Sequence, residues 1–150
     1  VIRLAFVVLG EPVGKGRPRF NGTTGRAYTP KATSEYEHDI CDRAAYAAVS
    51  QQWPRAFDAP CRVVIDAIFQ RPKNRYRKAD PVGRMPRESG RIDCDNCGKI
   101  VLDALQKAGV FRNDSCVVDL HVRLWWAAVD ETPCVEIEVT TLEAEGEVAA

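Results

Sequence analysis

The order of apolar and polar positions along the chain predicts strands and helices in alternation. Residues 2–9 form an apolar run of strand length, and residues 61–69, rich in Val and Ile, form a second. Between them Tyr36, Ile40, Ala44, Ala47 and Ala48 recur at helical spacing as far as about Gln51. Ser34, with Glu37 three residues later, reads as a capping box that would start this helix. A second helix is expected over about residues 96–108, with Ile100, Val101, Ala104, Leu105 and Ala108 on one side and Gly109 as its stop. Residues 117–127 and 135–142 read as strands. In the latter Val135, Ile137 and Val139 alternate with Glu136, Glu138 and Thr140, so one face is buried and the other is acidic and wet. Trp125 and Trp126 must face opposite ways, one into the core and the other towards a dimer interface. These elements fit one α+β domain over residues 1–142: a mixed sheet of about four strands packed with two main helices.

A chain of 150 residues, 45% of them hydrophobic, is large enough to bury such a core without staples. No stretch approaches the roughly 18 uncharged apolar residues of a membrane span, and residues 1–9 lack the plan of a signal peptide, so a cytoplasmic location without a membrane partner is the default expectation. Six cysteines fit no disulfide scaffold and are expected to remain thiols. Cys41, Cys61, Cys116 and Cys134 fall in apolar or alternating segments as small buried hydrophobes. Cys94 and Cys97 form a C-x-x-C, but no second such pair completes a zinc site, and His38 and His121 are remote in sequence.

The formal net charge of zero hides a strong polarity. Residues 1–31 carry +5 and residues 71–91 carry +6, whereas residues 130–150 carry −7. Two basic blocks of this kind point to a polyanionic partner. The second falls in the longest irregular segment, residues 70–91, expected as a mobile, DNA-contacting loop. There Arg71, Lys73, Arg75, Arg77 and Lys78 surround Tyr76, a mixture suited to phosphates and to stacking on a base. The first includes GKGRPRF, residues 14–20, which fails as a nucleotide-binding P-loop because Lys15 is followed by Gly16 where Ser or Thr is needed. It reads instead as a loop whose backbone approaches phosphate, with Lys15, Arg17 and Arg19 supplying charge. Residues 143–150 form an acidic tail.

Candidate chemistry concentrates in residues 92–114. Asp93 and Asp95 are two apart, so in an extended segment their carboxylates share a face and reach a common hard cation. The plainer alternative is the polar N-cap of a helix. Lys99 lies one turn into the helix that follows. That helix carries the chain about 19 Å away, and the five residues before Asp114 return at most about 17 Å. Asp114 therefore joins the other two only if the loop folds sharply back; otherwise the following strand or a partner subunit completes the site. Oxygen donors without a nearby histidine favour Mg²⁺ or Mn²⁺. Asp103, four residues past Lys99, reads as an ion-pair partner.

The string DCDNCGKIVLDALQKAGVFRNDSCVVD, residues 93–119, resembles the signature of the RusA family of Holliday junction resolvases: D-x-D-N-x-x-K, then D-A-L, a helix end and an acidic pair before a strand. GKGRPRF and YTPKAT, residues 28–33, resemble its phage-type branch. Asn113 stands at the first position of the pair, and Cys97 with Gly98 replaces bulkier residues. The resemblance implies a RusA-like fold and a Mg²⁺-dependent endodeoxyribonuclease, bacterial or phage-encoded, that acts as a homodimer on branched DNA without a small-molecule cofactor. It implies metal ligation by Asp93, Asp95 and Asp114, with Lys99 as the essential lysine. A branched-DNA-binding protein without activity and a less selective branch or flap nuclease are the alternatives.

Overall fold

Alternation in the first segment produces strand β1 (Arg3–Leu9), whose Leu4 and Val8 turn inward while Arg3, Val7 and Leu9 stay exposed. A small hairpin follows, β2 (Arg19–Phe20) and β3 (Ala27–Tyr28), and then helix α1 (Lys31–Ser50). The remaining elements are β4 (Cys61–Phe69), β5 (Met85–Pro86), α2 (Cys94–Lys107), β6 (Val117–Trp126) and β7 (Cys134–Thr141). The computed structural model describes residues 1–146, so the end of the acidic tail lies outside the described residues.

The main sheet has five strands in the order β1-β7-β4-β6-β5. β4 and β6 run parallel, joined through α2, and the other pairs are antiparallel. The expected mixed sheet is present. The extra strand, β5, is two residues long and pairs Met85 with Trp126, which is too short to leave a period in the sequence. β4 is flanked on both edges, which is why its Val and Ile positions are almost continuously buried.

Both helices pack on one face. Leu4, Val63, Ile65, Ile137 and Val139 meet Ile40, Ala44, Ile100, Val101 and Leu105 in a single cluster. Each fully buried Leu or Ile there contributes about 1.5–3 kcal/mol. The opposite face is wet, but its acids are paired. Glu138 bonds Arg3, Asp66 bonds Arg123, and Glu136 bonds Arg84, at 2.6–2.7 Å. A concavity of about 720 Å³ on this face is lined by Arg3, Asp66, Arg123, Glu136 and Glu138 among others. Trp125 and Trp126 face opposite ways and both find partners within the chain: the indole N–H of Trp125 donates to Asp66, and that of Trp126 to Glu88.

Two helix starts differ from expectation. α1 begins three residues before Ser34, with Pro30 at its N-cap (φ −53°) and no side-chain cap; Ser34 N–H donates to Pro30 O. The rigid proline presets the entry, which leaves Glu37 to be buried rather than used as a capping residue. α2 begins immediately after Asp93, whose carboxylate accepts the N–H of Asn96 at 2.8 Å. The Asp93–Asp95 stretch is therefore a cap and first turn, not an extended segment with both carboxylates on one face.

Cys61, Cys97, Cys116 and Cys134 are buried thiols, Cys41 is half-buried, and Cys94 is exposed. No described helix is long and apolar enough to cross a membrane.

Candidate active site

With Ile100, Val101, Ala104 and Leu105 turned to the core, α2 presents Asp95, Lys99 and Asp103 along one flank at four-residue spacing. These three, with Cys94 and Asp114, line an open cleft of about 480 Å³ between α2 and β6, walled by Leu120 and Val122. Gly98 sets the closeness of that seam, since a Cβ there would stand 3.3 Å from Val122. Cys97 points the other way, into a cluster with Ala67 and Phe69, and burial pushes its thiol up to about 12.

Asp114 reaches the cleft within one chain because the loop does fold sharply back. α2 ends in a Schellman motif: Gly109 N–H donates to Gln106 O, Val110 N–H donates to Leu105 O, and Gly109 takes φ +76°. The Gln106 side chain then accepts the N–H of Asp114. Asn113, at the position where the signature carries an acid, caps the turn by accepting the N–H of Ser115.

Asp95, Lys99 and Asp114 are thus brought together, while Asp93 sits one residue outside, at the helix cap. Among the described residues no three His, Cys, Asp or Glu side chains converge as a metal-binding group. The donor set nevertheless fits Mg²⁺, which keeps several waters and needs one or two carboxylates. Asp95 and Asp114 line the cleft and would supply these, and Asp93 has a second oxygen not used by the cap. Among the described residues Lys99 makes no ion pair, because Asp103 is engaged by Lys15 at 3.2 Å.

Lys15 is turned inward, contrary to its expected role at phosphate. Its ammonium donates to Glu37 at 2.9 Å, and Glu37 also accepts from Lys107 at 2.8 Å. Burial works against both charges, but the hydrogen bonds prevail: the Glu37 carboxyl is held below its ordinary value and the Lys15 ammonium above its own. The two glycines around Lys15 dock rather than approach a ligand. A Cβ at Gly14 would strike Ile92 at 2.9 Å, and one at Gly16 would stand 3.2 Å from Thr33. Lys15 N–H completes this clasp by donating to Asn96 O. Arg17 and Arg19 point to solvent.

Residues 70–91 are tied down rather than left as a free loop. Arg71 is 2% exposed, and its guanidinium donates to the carbonyls of Ala127, Arg75, Pro81 and Gly83 while lying over the Tyr76 ring. Arg75 pairs with Glu88 at 2.9 Å, and Arg77 with Asp80. Lys73, Tyr76, Arg77 and Lys78 remain exposed. Arg87, indistinguishable from its basic neighbours in the sequence, stacks 4.2 Å from the Phe69 ring centroid and donates to Ile92 O, fixing the chain just before Asp93. Asp103 lines the cleft and is paired, as its spacing suggested, but with a lysine distant in sequence.

The family profile described as Endodeoxyribonuclease RusA matches residues 10–140, which include the clasp, the cleft and every strand of the sheet except β1, β7 to within its last residue. The Uncharacterized protein YqaN of Bacillus subtilis (strain 168) is 30% identical over 147 residues, covering 94% of this chain and 98% of its own length. The chain belongs to the RusA endodeoxyribonuclease family.

Proposed function

We propose that this protein is a Mg²⁺-dependent endodeoxyribonuclease that resolves four-way DNA junctions as a homodimer, cutting two symmetry-related strands. The observation that carries this reading is the cleft shared by Asp95, Asp114 and Lys99, which makes no ion pair among the described residues. Asp95 and Asp114, with the oxygen of Asp93 that the cap leaves unused, would hold the cation, which would supply polarisation of the phosphate and acidification of a water. Lys99 holds a non-bridging oxygen of the scissile phosphate and offsets the charge that builds there. The water oxygen bonds to phosphorus and one P–O ester bond breaks, leaving a phosphate monoester and a hydroxyl. Arg17, Arg19, Lys73, Tyr76, Arg77 and Lys78 contact DNA directly, while Lys15 and Arg75 act by holding the loops that carry them. This reading has the protein act in the cytoplasm of a bacterial host, where its DNA substrate would lie.

Cleavage of four-way, three-way and linear duplex DNA in Mg²⁺ tests this reading. Preferred, paired nicking of the four-way substrate is expected, with Asp95→Asn binding but not cutting. Equal cleavage of all branched substrates would favour a general branch or flap nuclease, and binding without any cleavage would favour a non-catalytic protein.

A further inference from the structure

The β2–β3 hairpin is built with care yet covers nothing. Arg19 pairs with Tyr28 and Phe20 with Ala27. Its turn is fully specified: Asn21 N–H donates to Arg26 O, Gly25 N–H donates to Asn21 O, and the Asn21 side chain accepts from Thr23 and Thr24. Gly25 takes φ +68°, where an L side chain is disfavoured. At the end of this ribbon Phe20 is 76% exposed. Arg17, Arg19 and Arg26 are also exposed, and none is in an ion pair among the described residues. No Asp or Glu occurs between Glu11 and Glu35.

A single exposed aromatic means little by itself. Here it stands among guanidinium groups left without partners, on an arm whose root is fixed. Gly14 packs on Asn96 and Lys15 binds Asp103, so the arm is anchored to the helix that walls the cleft. Guanidinium groups recognise phosphates whatever their arrangement. An aromatic ring recognises an exposed base face, which a continuous duplex hides and a branch point offers.

We propose that the hairpin is a branch-point finger: Phe20 stacks on an unstacked base at the centre of a DNA junction, while Arg17, Arg19 and Arg26 grip the flanking phosphates. This rests on the junction-cleaving reading above and adds to it the residue that selects branched over linear DNA.

The test measures binding in EDTA, so that no strand is cut, to a four-way junction and to a linear duplex, with 2-aminopurine placed at the branch point as a stacking probe. Phe20→Ala should weaken junction binding about 5- to 150-fold, the range of one base–aromatic stack, and leave duplex binding within about twofold. Phe20→Trp should retain the probe response, and Phe20→Leu should lose it although it remains apolar. Arg17→Ala with Arg19→Ala should weaken both substrates alike. An unchanged junction preference in Phe20→Ala overturns the finger while leaving the nuclease reading intact. A wild-type protein that cleaves no junction and prefers none overturns both.

Discussion

Lys15 Nζ lies 3.2 Å from Asp103 Oδ2 and thereby joins the loop before the hairpin to the flank of the cleft. The same ammonium neutralises the buried Glu37 on α1, so one lysine links α1, α2 and the loop. Lys15→Met should lower stability by about 1.5–3 kcal/mol, the usual value of hydrogen bonds to charged groups. Adding Asp103→Asn should recover part of that loss, because it removes the carboxylate left without its partner. Denaturant unfolding of both single variants and the double variant measures the coupling; strictly additive losses would mean the two groups act separately.

Glu37 makes this cluster pH-dependent with a definite sign. Its folded carboxyl titrates below the ordinary 4.5, because the bonds from Lys107 and Lys15 outweigh the burial that opposes its charge. Its stabilisation is therefore full above about pH 4.5 and is lost as the pH falls through the depressed folded value. Glu37→Gln should be less stable than wild type by about 1.5–3 kcal/mol at pH 7, and the gap should close in acid. Urea unfolding between neutral pH and about pH 3 checks this; a gap independent of pH would show that the carboxylate charge contributes nothing.

On the proposed reading Asp93 both caps α2 and serves the cation, and one substitution separates the two. Asn caps a helix about as well as Asp, so Asp93→Asn should keep its thermal midpoint while cleavage falls at least about 100-fold through loss of charge at the cation. Asp93→Ala should lose the cleavage and, in addition, about 1 kcal/mol of stability. Retained cleavage in Asp93→Asn would reduce Asp93 to a cap.

What was legible in the sequence follows from the range of the interactions involved. α2 was legible because its apolar stripe and Gly109 are local signals, and the acids on its flank follow from the same periodicity. The resemblance supplied Asp114, but its arrival in the cleft depends on a Schellman turn and a Gln106 bond. β5 and the hairpin escaped because two-residue strands carry no period. Lys15 and Arg71 read as cations available to phosphate, since nothing near Lys15 in the chain reveals its carboxylates and nothing near Arg71 reveals that it would bond four carbonyls.

Arg71 organises residues 70–91 by geometry as much as by charge. A lysine carries the charge but lacks the planar fork that reaches several carbonyls at once. Arg71→Lys should therefore expose the segment to trypsin and speed its amide exchange almost as much as Arg71→Ala, leaving protection in β4 and β7 nearly unchanged. Full protection in Arg71→Lys would show that charge alone suffices.

The two basic blocks predict a strong dependence of DNA affinity on salt, and the ion pairs decide which residues contribute to it. A lysine contacting phosphate lowers the slope of log affinity against log salt by about one when removed. Lys73→Ala and Lys78→Ala should each do so, because both are exposed. Arg75 spends its charge on Glu88, so Arg75→Ala should change the slope less, and weaken binding mainly by loosening the segment that presents Lys73 and Lys78. Truncation after Leu142 removes Glu143, Glu145 and Glu147 and should leave the slope unchanged while raising affinity, since it relieves repulsion without adding a phosphate contact. Binding measured between about 50 and 200 mM salt separates these cases; equal slopes for all four proteins would place the DNA away from residues 70–91.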